Sequence, residues 1–115
     1  MPDMNFRKLD VYQAAIRFLP LAFEIADSLR PRYAALAEQL RRASLSISLN
    51  IGEGSGKNTG PDQRRFYSMA RGSAMERAAI IDACRALALI EQPRAQDADQ
   101  LLPSAVRMLS KMCRS

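Results

Sequence analysis

Apolar residues recur at steps of three and four over most of this chain, and the run Gln39 to Gly54, QLRRASLSISLNIGEG, carries the pattern most clearly. Wound as a helix at about 100° per residue, it places Leu36, Leu40, Ala43, Ile47 and Ile51 on one narrow face, the spacing of a core stripe. Leu45 and Leu49 fall on the opposite face, and a second apolar stripe predicts a second buried contact. Between the two stripes Gln39, Arg42, Ser46, Asn50 and Glu53 form a polar column whose members stand close enough to reach one another.

The same reading along the chain predicts helices over about 10–29, 32–52, 60–90 and 98–113. The segment from Phe6 to Leu9 docks by those two residues, with Asp10 as N-cap of the first helix. Tyr12, Ala15, Ile16, Leu19, Phe23 and Ala26 make its core face, while Val11, Phe18, Leu21, Ile25 and Leu29 lie around the other side. A helix apolar over so much of its circumference predicts self-association, with Phe18, Leu21, Ile25, Leu45 and Leu49 as interface. Pro20 bends this helix without dividing it.

Arg30-Pro31-Arg32 breaks the chain before the second helix, and the glycine-rich run Gly52 to Gly60 ends it. Thr59 followed by Asp62, with Pro61 between, reads as the capped start of the third helix. Phe66, Met69, Ala70, Ser73, Ile80, Ile81, Cys84, Leu87 and Ala88 make its core face, and Arg77 falls there too, with Asn50, Glu53 or Glu76 as candidate partners. Gly72 reads as a point of close helix crossing. Gln92-Pro93-Arg94 ends the third helix, Asp97 or Asp99 caps the fourth, and Ala98, Leu101, Leu102, Ala105, Met108, Leu109 and Met112 repeat along it, with Pro103 placing the regular start near Leu102.

A chain of 115 residues with 48% hydrophobic content has material for one core, so residues 1–115 read as a single all-α domain. No stretch approaches the roughly 18 apolar residues of a membrane span, and residues 1–10 lack a signal-peptide pattern, so no membrane partner and a cytoplasmic location are expected. Cys84 and Cys113 have no metal-ligand partner at short spacing and read as reduced packing residues.

The run Gln39-Leu40-Arg41-Arg42-Ala43, then Ser46-Ile47, then Asn50-Ile51-Gly52-Glu53-Gly54 resembles the signature of the 23S rRNA intervening-sequence proteins. Phe6-Arg7-Lys8-Leu9-Asp10-Val11-Tyr12 is similar to that family's N-terminal segment. Arg65-Phe66-Tyr67, Ala70-Arg71-Gly72-Ser73 and Glu76 are similar to its third helix. The chain departs from the pattern at Gly52, Arg77 and Pro20. The resemblance implies an up-and-down antiparallel four-helix bundle that assembles into a homopentamer without established enzymatic activity. It also brings in relatives that work beside reverse transcriptases in diversity-generating retroelements and bind nucleic acid.

Little in the sequence points to catalysis. There is no histidine, neither cysteine has an evident activating base, and the Glu-x-x-His pairs of dimetal bundles are impossible. The glycine-rich run is not a phosphate loop: Asn58 follows Gly56-Lys57 where Ser or Thr is required, and Ile51 holds the position of the first glycine. No cofactor or metal is expected. Gln39, Ser46, Asn50, Glu53, Ser73 and Glu76 read as a structural polar network.

The net charge of +5 decides little on one chain, but five copies would carry about +25, enough to attract a polyanion. Arg41, Arg42, Arg64, Arg65 and Arg71, with Lys57, are the candidate phosphate contacts; with Tyr67 alone nearby there is no aromatic series on which bases could stack. Two functions therefore stand: a homopentamer binding RNA or DNA through its phosphates, or an adaptor ring whose partner is a reverse transcriptase or another protein.

Overall fold

The computed structural model describes residues 4–100 and 102–114. A 3-10 turn at Met4–Lys8 leads into α1 (Asp10–Ser28), and a second at Pro31–Tyr33 leads into α2 (Ala34–Ser55). α3 (Gly60–Ala86), α4 (Gln92–Asp99) and α5 (Leu102–Arg114) complete the chain. α1, α2 and α3 run up and down as consecutive neighbours, and α4 with α5 forms a broken fourth helix returning along α3 and α1. The molecule is an up-and-down four-helix bundle 45 Å long and 23 by 20 Å across.

The expected stripe of α2 is the centre of the core: Leu40, Ala43, Ile47 and Ile51 are buried, and Leu36 packs against them. Two buried clusters follow one another along the bundle. The first gathers Ile25, Leu40, Ile81 and Cys84, the second Val11, Ile51, Ala70 and Leu109. The opening turn docks as expected, with Phe6 edge-on to Tyr12 at 5.0 Å and against Gly52.

α1 is one unbroken helix through Pro20, but of its expected core face Ala15 and Ala26 alone are buried. Val11, Ala14, Ala15, Phe18, Ala22, Ile25 and Ala26 are buried, while Ile16 is 40% exposed and lines a shallow apolar hollow with Leu19, Pro20 and Phe23. The buried face is the one rich in alanine, which lets the neighbouring helices approach closely. Asp10 is the first helical residue, with Leu9 before it as N-cap, so its carboxylate acts on the helix dipole from the first turn.

Other boundaries shift as well. α2 continues through Gly52 and Gly54 to Ser55, so only residues 56–59 form the turn. Gly54 is the close crossing: a Cβ there would stand 2.9 Å from Phe66 Cβ, whereas one at Gly72 would meet nothing within 4 Å. α3 stops at Ala86, Ala88 adopts φ 56°, and Met69, Leu87 and Ala88 of the expected core face are exposed, the first two at 46% and 51%, while Ala74 is buried. Gln92 and Pro93 start α4 instead of ending α3, Pro93 occupying the first turn where its missing N–H costs nothing. Leu101 and the side chains of Asp99 and Leu102 lie outside the described residues.

Candidate nucleic-acid interface

The turn between α2 and α3 is assembled from short-range contacts that hold its cations in place. Thr59 Oγ1 accepts from the Asp62 backbone N–H at 3.3 Å, the expected N-cap, and Gln63 Nε2 donates to the Lys57 carbonyl at 3.1 Å. The absence of side chain at Gly54 lets Phe66 and Tyr67 come against α2, and the Tyr67 and Ser55 hydroxyls lie 3.0 Å apart. Lys57 Nζ and the Arg65 guanidinium then stand 4.9 and 4.7 Å from the centre of the buried Phe66 ring. Arg64 folds over the start of α3, its Nη1 2.8 Å from where a Gly60 Cβ would be. A cation on an aromatic face keeps its charge while losing some of its rotational freedom.

The six candidate phosphate contacts therefore do not form one patch. Lys57, Arg64 and Arg65 come together at the turn, and half-buried Arg71 lies further along α3 by about 9 Å at 1.5 Å per residue. Arg41 is roughly 21 Å along α2 from the end that leads into the turn and is engaged within the chain. It donates to Asp27 at 2.7 Å and stands 3.6 Å from Glu38, and the bond to Asp27 holds its guanidinium above the ordinary arginine range. Arg42 is exposed beside it.

The polar column divides in the same way. Asn50 Nδ2 donates to the Ser46 carbonyl at 2.9 Å and to Ser46 Oγ at 2.8 Å, and Ser73 Oγ donates to Ser46 Oγ at 2.9 Å, so three of the expected members tie α2 to α3. Gln39, Glu53 and Glu76 are exposed and stand outside this network. Arg77 does not join it either: wholly buried, it donates to the Ala98 carbonyl of α4 at 3.1 Å, with its guanidinium 4.4 Å from the Phe18 ring centre.

Of the expected interface residues, Phe18 and Ile25 belong to the chain's own core at 8% and 0% exposure, and Leu21 packs against that core. Leu45 and Leu49 are exposed, at 39% and 61%. The reading missed Ile16 and Met75 as exposed apolar residues; the signal available was that α1 offers two apolar faces of which a small bundle buries one. The register of α1 against α2, with Asp27–Arg41 at one end and Phe6 on Gly52 at the other, puts Leu45 and Leu49 at about the level of Ile16 and Leu19 along the bundle.

Burial pushes the Cys84 thiol up, away from nucleophilic reactivity. Among the described residues no cluster of three His, Cys, Asp or Glu could hold a metal, and no helix is long and apolar enough to cross a membrane. A cleft of about 650 Å³ at the far end of the bundle is lined by Glu24, Glu91, Arg94 and Asp97 over Leu21 and Leu89, with Arg94 3.7 Å from Glu24.

Fold and site together define a class: an all-α antiparallel bundle with a cationic turn and an apolar outer face. Residues 7–111 match the family model of the 23S rRNA-intervening sequence protein, and the chain belongs to that family. A search of curated proteins finds no match.

Proposed function

We propose that this chain is a non-enzymatic, self-associating bundle of the cytoplasm that binds RNA or DNA through phosphate contacts. The observation that carries the reading is the turn cluster, with Lys57 and Arg65 on the Phe66 ring and Arg64 over Gly60 at the start of α3. Phosphate recognition needs positioned cations and no base-reading groups, and it gains from repetition in an oligomer because linked contacts multiply. The resemblance to relatives that bind nucleic acid beside reverse transcriptases supports the same reading, with a homopentamer as the assembly. The exposed Leu45 and Leu49 of α2 are the surface through which copies meet.

The adaptor reading draws on Met69, Met75 and Leu87, exposed apolar residues on α3 that suit a protein partner. Salt separates the two readings: affinity for nucleic acid falls linearly in log units with added salt, and an apolar contact does not. The test is a titration of duplex and single-stranded RNA and DNA into wild type and Leu45→Glu, with mass measured by sedimentation. Wild type is expected to be an oligomer that binds at low salt, and Leu45→Glu a helical, smaller species that binds at least tenfold more weakly. An intact oligomer that shifts no nucleic acid would hand the function to the adaptor reading.

A further inference from the structure

More than half of the positive excess of the described side chains is collected at one end of the bundle. Phe6 packs on Gly52 near the end of α2, so Arg7 and Lys8 stand beside the α2–α3 turn with its Lys57, Arg64 and Arg65. α5 runs toward the same end. Leu109 shares a buried cluster with Val11 and Ile51, and Met108 lines a hollow with Asp10, so the last turn of α5 carries Lys111 and Arg114 beyond the start of α1. Against these seven cations the described side chains of this end set three carboxylates, Asp10, Glu53 and Asp62, a balance of +4 where all the described side chains together total +7. The opposite end holds carboxylates and arginines in nearly equal number and pairs several of them, Arg41 with Asp27 and Arg94 with Glu24 among them.

Resting on the nucleic-acid reading, we infer that the polyanion is held end-on by this cap, built from the first turn, the α2–α3 turn and the tail of α5, and that its preferred form is a duplex. The end face is about 20 Å across. Over that span a duplex presents roughly twelve phosphate charges, at about 1.7 Å each, and one strand about half as many. Single strands are favoured by exposed aromatic platforms, and among its described residues this end offers none: Phe66 is buried at 7%, Phe6 and Tyr12 are half-buried against each other and Tyr67 is engaged with Ser55. An anionic membrane is the poorer fit, because the exposed apolar residues that would insert, Ile16, Leu45 and Leu49, lie along the side of the bundle.

Two charge-matched variants test the inference by fluorescence anisotropy with a 24-base-pair DNA duplex, the equivalent RNA duplex and the separate strands, over a salt series. Arg7→Gln with Arg114→Gln empties positions on the cap that the turn cluster alone would not require. Arg30→Gln with Arg32→Gln removes equal charge at the far end. The cap pair is expected to lose about tenfold in duplex affinity and to flatten the salt slope by about 2. The far-end pair stays within twofold of wild type, and wild type binds duplex several-fold tighter than single strand. Lys8→Gln with Lys111→Gln repeats the test should circular dichroism show the first pair unfolded. Equal losses from the two ends, or an unchanged cap pair, would overturn the inference while the nucleic-acid reading stands. Wild type that binds no nucleic acid, or that binds only phosphatidylserine vesicles, would overturn both.

Discussion

Two of this bundle's seams take polar side chains away from the surface, and they solve the same problem differently. Between α2 and α3, Ser46, Asn50 and Ser73 bond to one another and to a carbonyl one turn away. The groups are neutral and half-buried, and their partners are set by helix spacing plus one antiparallel contact. Between α3 and α4, Arg77 is wholly buried, and its described partners, the Ala98 carbonyl and the Phe18 ring, come from two other helices. A small neutral network can be filled out by water if it opens; a buried guanidinium cannot leave its site without uncovering the helices it holds. The first seam is local and adjustable, the second is a tertiary lock on an otherwise weakly anchored α4, whose buried apolar residues are the small Ala95 and Ala98.

That contrast predicts unequal costs. Arg77→Ala is expected to lose about 3 kcal/mol in urea denaturation, since it leaves a cavity and strips the Ala98 carbonyl of its donor. Arg77→Met, which restores volume without charge, should recover much of the loss. If Arg77→Ala unfolded within ~0.5 kcal/mol of wild type, the lock would be no lock. Next in size is Gly54→Ala, whose added methyl would lie 2.9 Å from Phe66 Cβ and Tyr67 Cε1; about 1 to 3 kcal/mol is expected, while Gly72→Ala, with open space around it, should gain up to about 1 kcal/mol. A cost at Gly72 that appears only in the assembled oligomer would place that face against a neighbouring copy. Smallest is Asn50→Ala, at about 1 kcal/mol, because Ser46 and Ser73 keep each other and water reaches the rest. A loss at Asn50 as large as that at Arg77 would erase the distinction between the two seams.

The same division runs through what could be read before the structure. The core stripe of α2, the Thr59 cap and the docking of Phe6 were legible because each depends on residues close in sequence or on a single period. The polar network was half legible: Ser46 and Asn50 are one turn apart on α2, and Ser73 was reachable through the family pattern. Glu53 and Glu76 fell out of it because a wheel gives direction but not depth, and both reach water.

On its own the sequence determined that this protein is helical, where most of its chain reversals fall and which face of α2 is central, since hydrophobic periodicity and capping act over a turn or two of chain. Only the tertiary structure decided which of two apolar faces α1 buries, because the choice rests on the close approach of Ala14, Ala15, Ala22 and Ala26 to other helices and not on hydrophobicity, which both faces share. It also decided where Arg77 finds its carbonyl and which cations share an end. Residues such as Arg7, Arg65 and Arg114 are far apart in sequence, and antiparallel packing alone brings them together.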